Sequence, residues 1–209
     1  RQSAFDMMIS GPIGPVIVTP ISTVLKRCNQ DSENLYAESL LKRMGHELTG
    51  ERGSFINGGA ILGHIVHGRL RDPALASGVI VADGSGLSRD NRITAALMTA
   101  WLASFHNDPE LGPTFIESLA VGSESGTLRK RYRSMDLSGA VVQAKTGYIN
   151  GVSCLSGYVT GSDGHRRTFS VLVNGFPAGG VGEAKKVQDQ IVRAIARDLA
   201  TAKVTLGGE

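Results

Sequence analysis

Apolar residues recur along this chain first at helical spacing and later in alternation, so helices are expected ahead of a sheet. Residues 15–18 read as a short strand, and Thr19 with Pro20, a cap followed by a proline suited to the first turn, predicts a helix over 20–29. After the polar break Asn29-Gln30-Asp31, the positions of Leu35, Leu40, Leu41 and Met44 predict a second helix that stops at Gly45. A third is expected over 54–70, with Ile56, Ala60, Ile61, Ile65 and Val66 inward. Residues 79–81 read as a short buried strand running into the turn Asp83-Gly84-Ser85-Gly86. Residues 92–105 are strongly helical, and 115–119 supply one or two more turns.

From Val141 onward the pattern changes. Residues 141–146, 152–159 and 168–173 read as strands separated by turn clusters at 148–151 and 161–164, an antiparallel meander. A closing helix over 182–200 carries Val187, Ile191, Ile195 and Leu199 as a stripe to lie on the sheet. The fold class is α+β. Residues 1–19 are expected to lead in from an upstream domain, 20–200 to form the body and 201–209 a tail.

Composition narrows the function classes. The 209 residues are 41% apolar and 20% charged with a net charge of +3, which suits a soluble domain with a sizeable core and gives no single-sign field for nucleic acid. Arg129-Lys130-Arg131 with Arg133, and Arg166-Arg167, read as solvated surface that would also favour an anionic polymer. No apolar run approaches the roughly 20 residues that span a bilayer. Arg1-Gln2-Ser3 is not a natural start, so residues are expected upstream. Cys28 and Cys154 are read as free buried thiols. His64 and His67 are three apart on a helix, but without a third ligand they read as solvated or capping side chains, and neither a metal nor a cofactor is expected.

Two triplets carry candidate chemistry. Lys145-Thr146-Gly147 closes a strand just before a turn and offers a fixed charge, a hydroxyl and a side chain small enough for a ligand to lie along the edge, which suits a free carboxylate. Ser32-Glu33-Asn34 lies between two helices. Residues i and i+2 share no helical face, so Ser32 and Asn34 converge only if this turn is non-helical; otherwise Ser32 or Asp31 merely caps the next helix. Asp83 is expected to fix its loop by accepting backbone N–H groups.

A Ser-x-Asn on a helical segment followed by Lys-Thr-Gly on an antiparallel strand matches the second and third parts of the serine acyl-transferase set whose first part is Ser-x-x-Lys. With Leu25-Lys26-Arg27, Leu35-Tyr36-Ala37-Glu38, the loop from Ala82 to Asn91 that contains Ser88-Arg89-Asp90-Asn91, and the turn Gly126-Thr127-Leu128-Arg129, the chain from about 15 to 200 resembles the D-alanyl-D-alanine carboxypeptidases among the class C, low-molecular-mass penicillin-binding proteins. The resemblance implies the C-terminal part of a transpeptidase-like fold, a helical subdomain plus an antiparallel sheet with a packed C-terminal helix. It implies a periplasmic or cell-wall serine-type D-Ala-D-Ala carboxypeptidase, with endopeptidase activity as a further option, that acts on peptidoglycan stem peptides ending in D-Ala-D-Ala and is inhibited by β-lactams. In that scheme Ser32 relays a proton, Asn34 orients the substrate amide, Lys145 holds Ser32 in a positive field and Thr146 binds the terminal carboxylate along Gly147. The backbone N–H of Tyr148 forms half of the oxyanion hole, although the family usually has Ser or Thr there. Ser22 and Lys26 are four apart rather than three, and no nucleophile is assigned in this chain; the N-terminal part of the same protein is expected to supply it. An inactive peptidoglycan-binding homologue, and a β-lactamase or esterase on the same scaffold, are the alternatives.

Overall fold

The computed structural model describes residues 14, 15 and 17–206. Of the expected lead-in strand, the described residues Pro15, Ile17 and Val18 are irregular and exposed, and Val16 lies outside the described residues. The chain then builds α1 (Ile21–Asn29), α2 (Asn34–Thr49), α3 (Phe55–Leu70), the short α4 (Pro73–Ala76), α5 (Ala95–His106) and α6 (Gly112–Glu117). A two-residue strand β1 (Ala120–Val121) and a 3-10 turn (Gly126–Leu128) precede the sheet strands β2 (Val141–Ile149), β3 (Val152–Thr160) and β4 (Arg166–Asn174). The last helix, α7 (Val181–Leu206), runs through residues expected to be a tail.

Local chemistry sets these boundaries. Ser54 and Asn57 form a reciprocal capping box at the start of α3, and the Thr94 side chain accepts from Leu97 N–H to start α5. Helix α2 does not stop at Gly45 but at Gly50, whose φ of 72° is the left-handed conformation of a C-terminal glycine. Gly45 serves packing instead. A Cβ there would lie 2.8 Å from the Gly58 nitrogen, and one on Gly58 would lie 2.5 Å from the Leu41 carbonyl, so α2 and α3 cross with their backbones nearly touching. Consequently α3 buries Gly58, Gly59 and Val66, while Ile56 and Ala60, expected inside, are exposed. Residues 79–81 make only a single bridge, Ile80 to Arg92, and Ile80 is exposed.

The sheet is an antiparallel meander in the order β1-β2-β3-β4. One face carries Val142, Ala144, Leu155, Val159 and Phe169 onto Val192, Ala196 and Leu199 of α7, the main core. The other face turns to the helices, where Tyr158 is fully buried with Leu102, Ile116 and Leu119 and donates its hydroxyl to the Leu102 carbonyl at 2.6 Å.

The stripe on α7 differs from the one expected. Val187 and Ile191 are exposed, and the buried line runs through Ala184, Gln188, Val192, Ala196 and Leu199. Gln188 is fully buried because its two ends are satisfied: Arg131 donates to Oε1 at 2.9 Å, and Nε2 donates to Ser153 Oγ at 3.2 Å. Arg131, expected on the solvated surface, is therefore internal, and it also pairs with Asp189 at 2.7 Å.

Candidate active site

The junction between α1 and α2 is held in place from behind. Asn29 Nδ2 donates to Ser118 Oγ at 2.7 Å, Gln30 Nε2 donates to the Leu119 carbonyl at 3.2 Å, and Glu33 N–H donates back to the Arg27 carbonyl at 3.2 Å. These contacts fix a non-helical turn in which Ser32 adopts a φ of 60°, uncommon for a residue with a side chain. The hydroxyl does not cap α2. Glu33 occupies the cap position without a side-chain bond, and Ser32 Oγ instead accepts from Lys145 Nζ at 2.7 Å, across 113 residues of sequence. Asn34 opens α2 on its exposed side.

Lys145, Thr146 and Gly147 lie within β2, which continues to Ile149 rather than ending at the triplet. Strand β1 pairs only with Gln143 and Ala144, so among the described residues no strand covers the edge of β2 opposite β3 from Lys145 onward, and that edge is open. Gly122 N–H donates to the Val142 carbonyl at 2.8 Å, which shows that Val142 turns its backbone groups toward β1. By the alternation of an antiparallel strand, Thr146 and Tyr148 turn theirs to the open edge. Lys145 Nζ also donates to the Thr146 carbonyl there, and the Tyr148 side chain is exposed.

Burial pushes the Lys145 ammonium below its ordinary pKa, against a smaller opposing effect from the neighbouring Cys28. The same burial raises Cys28 despite the nearby Lys145 charge, and burial raises Cys154, so neither thiol is activated. Both cysteines are free and half-buried rather than buried.

The loop 82–91 braces this cleft. Asp83 accepts N–H bonds from Gly86 at 2.8 Å and Ser88 at 2.6 Å and a bond from Asn91 Nδ2 at 2.9 Å; burial opposes its ionisation, and these bonds outweigh it to leave the carboxyl pKa lowered. Glu38 of α2 accepts from Gly84 and Ser85 N–H at 2.9 and 3.2 Å. Arg89 donates to the Asn150 carbonyl at 2.8 Å, in the turn just past β2. One loop thus ties the helix that follows Ser32 to the strand that carries Lys145. Glu38 and Arg89 lie in the stretches that carry the resemblance, but spacing alone assigns them no partners.

The spacing Ser-x-x-Lys does occur once near the site, at Ser39-Leu40-Leu41-Lys42, within α2. Ser39 is exposed and donates its hydroxyl to the Leu35 carbonyl at 2.7 Å, and Lys42 stacks over the Phe55 ring at 4.1 Å. Neither side chain bonds Ser32 or Lys145, so this pair stands apart from the cleft. Of the two histidines on α3, His67 has its Nδ1 2.9 Å from the Gly63 carbonyl.

Comparison with known proteins bears on the family and the fold. The model of the D-Ala-D-Ala carboxypeptidase 3 (S13) family matches residues 15–198. A D-alanyl-D-alanine carboxypeptidase of an Actinomadura species is 38% identical over 160 residues, 74% of this chain and 28% of that protein. The carboxypeptidase DacB of Mycolicibacterium smegmatis is 34% identical over 169 residues, 78% of this chain and 35% of that one. The chain thus spans about a third of the length of the curated relatives it matches. The crystal structure of penicillin binding protein 4 from Haemophilus influenzae superposes with a TM-score of 0.69 at 24% identity, over 87% of this chain and 40% of that one, a likeness of fold.

Proposed function

The chain belongs to the D-Ala-D-Ala carboxypeptidase 3 (S13) family, and from that premise we propose that it forms the C-terminal part of an extracytoplasmic serine peptidase that cleaves peptidoglycan stem peptides ending in D-Ala-D-Ala. The observation that carries the reading is the 2.7 Å bond from Lys145 Nζ to Ser32 Oγ beside the open edge of β2. A hydroxyl held by a buried ammonium is shifted toward giving up or passing on a proton, and an ammonium at that point stabilises negative charge developing in the cleft.

The substrate strand lies along the β2 edge, pairing with the outward backbone groups of Thr146 and Tyr148, with its terminal carboxylate toward the Thr146 hydroxyl. A serine hydroxyl adds to the carbonyl carbon of the penultimate D-Ala, and the carbonyl oxygen takes the negative charge. The Tyr148 N–H and the N–H of the attacking serine receive that oxyanion. The serine proton passes by way of Ser32 Oγ to the nitrogen of the terminal D-Ala as the C–N bond breaks, which releases the amino acid and leaves an ester. Water then hydrolyses the ester and restores the serine. Asn34 orients the amide of the scissile residue.

The attacking serine comes from a Ser-x-x-Lys segment beyond these residues. On the sheet face that carries Lys145, the cross-strand neighbours Cys154, Ser156, Ser170 and Leu172 remain half-exposed, and this is the surface onto which such a segment packs. β-Lactams, which present a carboxylate and a strained amide, acylate the same serine.

The test is Lys145→Ala in the full-length protein. The rate of acylation by a fluorescent penicillin should fall by about a hundredfold, the size expected for loss of one charge-stabilising group. Unchanged labelling kinetics would remove Lys145 from the site.

A further inference from the structure

The open edge of β2 has a second hydroxyl beside it that the roles above leave unused. Thr127 Oγ1 accepts from Thr146 Oγ1 at 3.0 Å, although the two residues are 19 apart in sequence and Thr127 is exposed. The mount beneath it is rigid. Thr127 N–H donates to the Gln30 carbonyl at 3.1 Å, Gly126 sits at φ 53° where a Cβ would lie 2.5 Å from that same carbonyl, and Leu128 is fully buried. Gln30 in turn is bonded to Leu119 and stands two residues before Ser32. The backbone of Thr127 is therefore fixed to the wall that carries Ser32, while its hydroxyl points at the strand that carries Lys145.

We propose that Thr127 is a specificity-determining residue whose hydroxyl, together with that of Thr146, holds the free carboxylate of the peptide or β-lactam. Because Thr146 donates to Thr127, the Thr127 proton is free to be given to an incoming anion, and the Thr146 proton turns to the second carboxylate oxygen once the anion arrives. Tyr148 sharpens the argument. It shares a strand face with Thr146, two residues on, where the family usually has the short hydroxyl of Ser or Thr. Here the only hydroxyl of residue 148 is at the tip of an exposed ring, and Thr127 supplies a short one from the opposite wall.

This inference rests on the proposed peptidase reading, and one comparison separates the two. In the full-length protein, acylation rate constants are measured for benzylpenicillin and for its methyl ester, which lacks the anionic carboxylate, in the wild type, Thr127→Val and Thr127→Ser, with a thermal unfolding midpoint for each. The expected result is a wild type that prefers the acid, a Thr127→Val variant that loses about tenfold of its rate with the acid and none with the ester, the order of one hydrogen bond to a charged group, and a Thr127→Ser variant that restores the preference. Equal losses with acid and ester would reduce Thr127 to a structural role and overturn the inference. An undiminished preference in Thr127→Val would do the same, with the peptidase reading intact. A wild type acylated by neither compound would instead overturn that reading, and the inference with it.

Discussion

Lys145 is subject to opposing demands: burial favours its neutral form, while the Ser32 hydroxyl and the Thr146 carbonyl accept bonds from its ammonium. The net direction is a pKa below the ordinary 10.5. If the ammonium is the working form, acylation should fall on the alkaline side as Lys145 loses its proton, with a midpoint below 10.5. A rate that stays flat through that range would show that the charge is not needed. The same shift has a consequence for stability. A folded state that holds its lysine proton less tightly than the unfolded chain loses stability as pH falls from 10.5 through the lowered value. Lys145→Met should therefore raise the unfolding midpoint at neutral pH, by an amount that shrinks as pH approaches 10.5; a lower midpoint would contradict the cost assigned to burying this charge. Lys145 and Ser32 were singled out in sequence by their triplets taken together and by the resemblance, and the fold places the two side chains in contact. Thr127 was legible only as part of a turn, since its meeting with Thr146 is made by the fold and leaves no spacing to read.

At the scale of elements, positions that defeat pattern reading are those where backbones touch or where a polar side chain is satisfied inside. Gly84 shows the first. A Cβ there would lie 2.4 Å from the Ala37 carbonyl, so the loop 82–91 lies directly on α2. Gly84→Ala should destabilise the fold by roughly 1–3 kcal/mol as the loop is pushed away, and it should slow acylation even where the protein is folded, because Arg89 then loses its hold on the turn after β2. Urea unfolding and labelling rates measured together check this; an effect on neither would mean that the loop does not brace the cleft. Gln188 shows the second. An apolar count places Val187 and Ile191 toward the sheet, but Arg131 and Ser153 together satisfy Gln188 and turn the helix to bury it. Removing the guanidinium leaves the Gln188 oxygen without its donor, so Arg131→Ala should cost roughly 1–3 kcal/mol in urea unfolding. A loss below about 0.5 kcal/mol, the range of ordinary surface changes, would show that the network contributes little. By contrast, α1, α3, α5 and the three-strand meander followed directly from periodicity and turn residues, with ends displaced by a few positions.

At the scale of the whole molecule, the helices and the sheet meet along a seam that contains Ser32 on one side and Lys145 on the other, with the β2 edge open between them. The α+β order, helices first and then a meander under a closing helix, was readable because each half keeps its own periodicity. That the two motifs meet was readable only through the resemblance, which sets Lys145 beside Ser32, since the contact itself depends on the packing of α1 against the segment between α6 and β1. The seam brings together the Ser32 hydroxyl, the Lys145 ammonium and the Thr146 and Thr127 hydroxyls, but within the chain the one nearby serine and lysine at the nucleophile spacing, Ser39 and Lys42, are turned to other partners. The central claim is thus that Ser32 and Lys145 serve a nucleophile held on another segment. Its most direct test is to label the full-length protein with a fluorescent penicillin, digest it and locate the modified residue by mass spectrometry. The adduct should map to the serine of a Ser-x-x-Lys segment outside the residues described here, and its yield should collapse in Lys145→Ala; an adduct on Ser32 or Ser39 would contradict the account.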